Sequence, residues 1–334
     1  MEEGRLHSAR HTLLVFNCHE PWVYQLGVLG YGLDIIIGLA GRYTQMWDAR
    51  MRPAPENCRF LTLAEALHSK THYYCIITHN IKDLLDVRER AEPRLLVVHS
   101  TLEGRVEEEK SGVSAEEMKQ MLHKYVELTN CHVVATSATK GESWGFTEDI
   151  VTFGIDARQY LPYSGEEPCG IRVCNFINSR RRILLWDFYQ EAFAGIPMRL
   201  VGHNPGMAGV AAADSWDHLK RILRSYRFYV HTAEPKLEAG YNMASIEAMA
   251  AGLPVLGNLH PTSPVKHGVS GFLSDDPSEL GRYAQMLVDD RRLARLMGQK
   301  ARKTAIECFP MSKFRESFLR SIETSRRKWQ NRPG

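Results

Sequence analysis

Val230-His-Thr-Ala-Glu-Pro-Lys-Leu-Glu-Ala-Gly-Tyr-Asn-Met-Ala-Ser-Ile-Glu-Ala-Met-Ala-Ala-Gly-Leu-Pro-Val-Leu-Gly-Asn258 is the stretch that decides the fold. It reads as strand, loop, short helix, strand. Arg227 to His231 is a short β-prone run, and Glu238 to Asn242 is a polar turn holding a glycine. Met243 to Ala251 has strong helix formers, and Gly252 followed by Pro254 is a stop signal. Val255 and Leu256 begin the next strand. A loop entering a helix presents unpaired N–H groups and the positive end of the helix dipole, which suits a phosphate. Glu238 and Glu247 flank the same turn. Carboxylates repel phosphate but accept hydrogen bonds from sugar hydroxyls, so the combination suits a sugar diphosphate.

With these residues in view, the stretch resembles the donor-binding segment of the retaining glycosyltransferases of family four. Those enzymes have a Glu, Gly, aromatic, Gly pattern, an apolar run, and then Glu-Ala-Met-Ala-x-Gly-x-Pro-Val. Ala239-Gly240-Tyr241-Asn242 and Glu247-Ala-Met-Ala-Ala-Gly252-Leu-Pro-Val255 match most of it. Two departures stand out. The family's first glutamate would fall on Ala239, one place after Glu238, and its second glycine is Asn242, which tolerates positive φ better than most residues.

The resemblance implies a GT-B fold: two doubly wound, Rossmann-like α/β domains whose parallel sheets face a cleft. The expected division is an N-terminal acceptor-side domain over residues 1–156, with a C-terminal helix at 312–330 crossing back to it, and a nucleotide-sugar domain over 157–311. It implies hexosyl transfer from a nucleoside-diphosphate sugar, a UDP- or GDP-sugar, to an acceptor hydroxyl in glycan or glycoconjugate biosynthesis. Retention of configuration, no cofactor and no essential metal belong to the same expectation. Glu247 would hold the ribose. Gly240, Tyr241, Asn242, Met243 and Ala244 would meet the donor through backbone amides, beside Glu238. Gly202, in Gly202-His-Asn-Pro-Gly206, resembles the family's Gly-x-Gly-Pro loop near the nucleotide.

Composition bounds the alternatives. The 334 residues suggest two domains, and 44% hydrophobic with 24% charged residues is a globular balance. A net charge of +3 does not by itself indicate nucleic acid. The seven cysteines are an odd count with no Cys-x-x-Cys pair, which points to reduced thiols in a cytosol and neither a disulfide framework nor a zinc site. The charged Met1 to Arg10 segment has no export core, and the apolar runs are too short to span a bilayer. A cytoplasmic protein is expected, with peripheral contact at the inner face of a membrane left open by the basic tail Ser325-Arg-Arg-Lys-Trp329, read as a frayed end.

Along the first half, strands alternate with helices at βαβ spacing: Thr12–Phe16, Leu33–Leu39, Arg59–Leu63, Tyr73–Thr78, Leu95–Val98, His132–Thr136 and a short strand over Asp149–Phe153. Ligands in open α/β sheets sit beyond the carboxyl ends of strands. His19, Glu20 and Trp22 after the first strand, and His79 after the fourth, are therefore acceptor-side candidates for a carbohydrate, lipid-linked or small-molecule acceptor. His99, in His99-Ser-Thr, resembles the histidine that contacts the donor sugar in the family.

In the second half the family's Gly-Arg and following lysine, which bind the diphosphate, are missing; Cys174-Asn175 stands there. Arg180, Arg181 and Arg182, at the start of an expected helix over Ile183–Phe193, are the substitute cations. Two other readings on the same fold are a non-catalytic sugar-nucleotide-binding partner subunit and a sugar-nucleotide epimerase. A phosphorylase would need a pyridoxal-phosphate lysine, for which no convincing position appears.

Overall fold

The computed structural model describes residues 11–39, 41, 46–160 and 162–332. Met1 to Arg10, four residues of the loop at 41–55, and Leu161 at the start of the expected linker lie outside the described residues.

Two compact units divide the chain. The first comprises Met1–His99, Glu116–Val151 and Arg315–Gly334, and the second Ser100–Ala115 and Thr152–Phe314. The sheet of the first unit contains β1 (Thr12–Phe16), β2 (Gly32–Ile37), β3 (Cys58–Thr62), β4 (Cys75–Thr78), β5 (Arg94–Val98) and β6 (His132–Ala135). All pairings are parallel, in the order β3-β2-β1-β4-β5-β6. That is a doubly wound order with its switch point between β1 and β4. Leu13, Leu14 and Val15, like Ile76 and Ile77, are fully buried. Strands covered on both faces read as continuous apolar runs, which is why this sheet was legible.

Helices α1 (Glu20–Tyr24), α2 (Leu63–His68), α3 (Ile81–Asp86), α4 (Leu102–Glu109), α5 (Ala115–Leu128) and α6 (Ala138–Trp144) connect or follow these strands. The expected strand over Asp149–Phe153 is only an isolated parallel bridge between Ala135 and Ile150.

The second sheet has the parallel order β11-β10-β9-β7-β8, built from β7 (Glu167–Val173), β8 (Met198–Val201), β9 (Tyr226–Val230), β10 (Val255–Gly257) and β11 (Gly271–Leu273). Its switch point lies between β7 and β9. The helices are α7 (Trp186–Ala192), α8 (Trp216–Ser225), α9 (Met243–Ala251), α10 (Pro277–Asp289) and α11 (Arg291–Cys308), and α12 (Met311–Gln330) follows. α9 occupies the span expected for it, ending at Gly252 with φ 89°. Gly252 is suited to that left-handed cap because it carries no Cβ.

Residues 100–115 group with the second unit, although the expected division kept everything before 157 in the first. The reason is local. The Thr101 hydroxyl caps α4 and donates to the Leu237 carbonyl at 2.8 Å. A Cβ on Gly104 would stand 2.1 Å from that same carbonyl, so only glycine admits the approach.

From Arg315 onward α12 belongs to the first unit. Phe318, Ile322 and Ser325 lie on one buried stripe at helical spacing, each 1% exposed or less. The tail is not frayed. Arg326 lies over the Tyr74 ring, the Lys328 ammonium donates to the Cys131 carbonyl, and Trp329 stacks with Arg94. These groups are spent on internal contacts, which withdraws the basic tail as an argument for a membrane surface. Among the described residues no helix is long and apolar enough to cross a membrane.

Candidate functional site

The second unit's switch point places three loops together: those after β7, after β8 and around the N-terminus of α9. The first two are laced by side chains. Asn204 Nδ2 donates to the Cys174 carbonyl at 2.8 Å, while its Oδ1 accepts from Ile177 N–H at 2.9 Å. Asn175 Oδ1 accepts from His203 N–H at 2.8 Å. Gly202 has φ 144°, and a Cβ there would be 2.1 Å from the Cys174 carbonyl oxygen. Glycine is therefore required where the β7 and β8 loops cross.

At α9, Asn242 closes a capping box. Its Oδ1 accepts from Ser245 N–H at 2.8 Å, and the Ser245 hydroxyl accepts from Asn242 N–H at 2.9 Å. The first two helical residues, Met243 and Ala244, have no acceptor within the helix for their N–H groups. Glu247 is 4% exposed and sits one turn along the same helix. A buried carboxylate is stable only with hydrogen-bond partners. Tyr241 packs edge-on against Phe153.

The loop before the helix is held from below. Gly240 N–H donates to the Thr262 hydroxyl at 2.9 Å. His260 donates through Nε2 to the Glu238 carbonyl at 3.1 Å and accepts from Thr262 N–H at Nδ1 at 3.2 Å. That pattern needs the neutral ring, and desolvation lowers its pKa in agreement. His231, at the end of β9, donates to the Ala239 carbonyl at 3.3 Å, and burial pushes its pKa down to about 4. Asn258 grips Ala233 through both N–H and carbonyl, each at 3.0 Å. His231, Asn258, His260 and Thr262 were not singled out from sequence. Their sequence signal is polarity immediately after the apolar strands β9 and β10.

Arg180, Arg181 and Arg182 do not form a common cradle. The helix starts at Trp186, and Arg180 ends a 3-10 turn over Ile177–Arg180. Arg181 pairs with Asp187, and Arg182 pairs with Glu107 at 2.9 Å with its side chain 72% exposed. Arg180 alone is next to another candidate: it meets Glu108 at 2.8 Å and Glu238 at 3.4 Å. Three arginines in a row on a tight turn point in different directions, which a linear reading does not reveal. A fourth cation was overlooked. Arg172 is 2% exposed, donates to the Thr232 hydroxyl and the Leu184 carbonyl at 3.0 Å each, and lies 4.8 Å over the Tyr189 ring. Thr232 and Leu184 are themselves bonded at 2.6 Å, so Arg172 ties the arginine-bearing loop to the end of β9.

In the first unit the switch-point loops present a different set. His19 is exposed, at the N-cap of α1. Glu20 and Trp22, expected to face an acceptor, are instead 0% and 3% exposed. Glu20 accepts from Asn17 Nδ2 and from Asp48 N–H, at 3.2 Å each, and so holds its loop closed. Trp22 packs edge-on against His79 at 5.1 Å, His99 at 4.9 Å and Phe318 at 5.8 Å. Glu20, Pro21, Trp22 and Val23 of the short helix α1 are all buried. His79 and His99 face each other, Nδ1 to Nε2, at 2.9 Å.

No family model matches the chain, and no curated protein matches it. Solved structures do. Over 94% of this chain and 100% of theirs, the Anabaena protein Alr3699/HepE in complex with UDP and glucose superposes with a TM-score of 0.68 at 15% identity. The sucrose-phosphate synthase of Thermosynechococcus elongatus gives 0.66 at 14% identity, over 94% of this chain and 99% of its own. A UDP-forming trehalose-phosphate synthase from Burkholderia xenovorans gives 0.59 at 11% identity, again over 94% and 99%. At such identities the likeness establishes the fold: two parallel, doubly wound α/β units of the GT-B type.

Proposed function

We propose that the chain is a glycosyltransferase that takes a hexosyl group from a nucleoside-diphosphate sugar, with UDP as the nucleotide. The observation carrying this reading is the α9 N-terminus, where two helix-end N–H groups stand one turn from the buried Glu247 carboxylate. Helix-end amides suit a phosphate, and a buried carboxylate suits a ribose diol. The UDP and UDP-glucose complexes of the Anabaena protein of the same fold support uracil over guanine.

In this reading Met243 and Ala244 amides meet the diphosphate, and Glu247 accepts the ribose hydroxyls. Gly240, Tyr241 and Asn242 shape the turn. Glu238 accepts sugar hydroxyls. Gly202 lets the β8 loop approach the nucleotide. Arg180 stabilises charge on the departing diphosphate, a form of electrostatic catalysis. To do so it must exchange a carboxylate partner for a phosphate, since Glu108 and Glu238 both hold it. His19 stays as an acceptor-side residue because it is the exposed one of its loop. Retention of configuration, independence from metal at the donor phosphates, and a cytoplasmic location belong to the proposal by resemblance.

A thermal-shift and nucleotide-release screen against UDP-, GDP-, ADP- and dTDP-sugars tests it. Stabilisation by UDP-sugars with slow UDP release is expected, and loss of both in Glu247→Ala. If no nucleotide sugar stabilises the protein, the proposal fails. The carboxylates already on Arg180 favour one second reading, a partner subunit that binds nucleotide sugar without turning it over. Tight binding with no release, with any acceptor, would select it.

A further inference from the structure

Beyond the donor site, the first unit gathers three ligand-type side chains from separate strand ends. Cys18 follows β1, His79 follows β4 and His99 follows β5, flanking the switch point of that sheet. Their ligand atoms all lie within 4.8 Å of one another. His79 Nδ1 is 2.9 Å from His99 Nε2, which is 3.8 Å from the Cys18 sulfur. We propose that Cys18, His79 and His99 form a site for one zinc-class divalent cation, held by a thiolate and two imidazoles, with a fourth position open to a solvent oxygen.

Four observations carry it. The first is distance. Tetrahedral zinc, with bonds of about 2.0–2.1 Å to nitrogen and about 2.3 Å to sulfur, needs ligand separations of about 3.4 Å between nitrogens and about 3.6 Å between nitrogen and sulfur. The His79–His99 and His99–Cys18 separations need shifts of about half an ångström or less, and the Cys18–His79 pair lies within 4.8 Å. The second is orientation. His79 donates its Nε2–H to the Phe16 carbonyl at 3.0 Å, which fixes the tautomer and leaves the Nδ1 lone pair directed into the cluster. A second nitrogen anchored on a backbone carbonyl is how ligating histidines are usually held.

The third is charge. Glu20 is fully buried beside the cluster, with one carboxylate oxygen that meets no partner. Buried negative charge beside the three ligand atoms favours a bound cation. The fourth is access and ligand set. Cys18, His79 and His99 all keep partial exposure, so a cation and a solvent oxygen can reach them. One thiolate and two imidazoles suit zinc over magnesium or calcium.

Protons balance simply. Binding releases the Cys18 thiol proton to solvent. The His99 proton leaves Nε2, where it bridges to His79, and one is taken up at Nδ1. The net result is one proton released per cation. The inference does not depend on the donor-sugar reading, and its test uses no sugar nucleotide.

The test titrates Co²⁺, then Zn²⁺ in competition, into the full chain freed of metal by chelator under reducing conditions. Expected are one equivalent of Co²⁺, a thiolate-to-cobalt charge-transfer band and intense tetrahedral d–d bands, all displaced by Zn²⁺. Cys18→Ser should abolish the charge-transfer band, and His99→Gln should weaken cobalt binding at least tenfold. Both positions are partly exposed, so these variants are expected to fold, which circular dichroism checks. His79→Gln, which also loses the bond to the Phe16 carbonyl, is a supporting variant only. A wild-type protein with no stoichiometric band overturns the proposal. So does an unchanged band in Cys18→Ser, which would place the metal on another thiol such as the exposed Cys308.

Discussion

Gly240→Ala probes the donor loop with the smallest possible change. A Cβ at 240 would lie 2.6 Å from His260 Nδ1, 2.7 Å from its Cγ and 2.8 Å from the Ser263 backbone nitrogen. All three distances are shorter than carbon tolerates. The ring cannot swing away without breaking its bonds to the Glu238 carbonyl and to Thr262 N–H. The backbone cannot yield without stretching the 2.9 Å bond from Gly240 N–H to Thr262. Overpacking costs about 1–3 kcal/mol. One lost hydrogen bond adds about 0.5–1.5 kcal/mol. The expected destabilisation is therefore about 1.5–4.5 kcal/mol, read from urea unfolding of the second unit's transition. Because the turn also positions Asn242 and the α9 amides, UDP affinity by calorimetry should fall in the protein that remains folded. A Gly240→Ala protein within about 0.5 kcal/mol of the parent, with unchanged UDP affinity, would refute the account of a loop wedged on His260; surface changes ordinarily fall within that margin.

Other expectations follow from the same geometry. Glu247→Ala should weaken UDP binding by about 1–3 kcal/mol, the range for hydrogen bonds to a charged group, and unchanged affinity by calorimetry would remove Glu247 from the ribose. Arg180→Gln should reduce turnover strongly and Arg182→Gln little, because only Arg180 adjoins Glu238; equal effects in a UDP-release assay would contradict that division. Arg172→Ala should cost about 3 kcal/mol or more in denaturant unfolding, since it removes two buried charged hydrogen bonds of about 1.5–3 kcal/mol each and their aromatic packing. His231 is held neutral, with its pKa lowered from 6.5 to about 4. The unfolded chain therefore binds its proton first, so stability is full above about pH 6.5 and falls towards pH 4 by about 1.4 kcal/mol per pH unit for this group. His260 is shifted in the same direction. His231→Gln should flatten the slope measured by urea unfolding between pH 7 and 5.

What could be read in the sequence was whatever physics writes locally. The buried parallel strands appear as unbroken apolar runs, and α9 is bracketed by Asn242 and Gly252, residues whose cap chemistry is visible at a distance of one turn. What could not be read depends on direction and on long-range approach. Arg180, Arg181 and Arg182 are identical in sequence but meet Glu238, Asp187 and Glu107 respectively. Glu20 and Trp22 follow a strand's carboxyl end, as site residues do, but a helix of five residues rotates both into the interior. Cys18, His79 and His99 are far apart in the sequence and converge only through the register of three parallel strands.

The return of residues 315–332 to the first unit bears on how the chain is made. Every strand of that unit's sheet has been synthesised by Ala135, long before Phe318 leaves the ribosome. Until then, Trp22 lacks its Phe318 neighbour and the Arg94 carbonyl lacks the Ser325 hydroxyl that donates to it at 2.8 Å. The first-begun unit is thus the last one finished. A released chain truncated after Phe314 should hold a protease-resistant second unit together with a first unit whose apolar flank is still open to a chaperone.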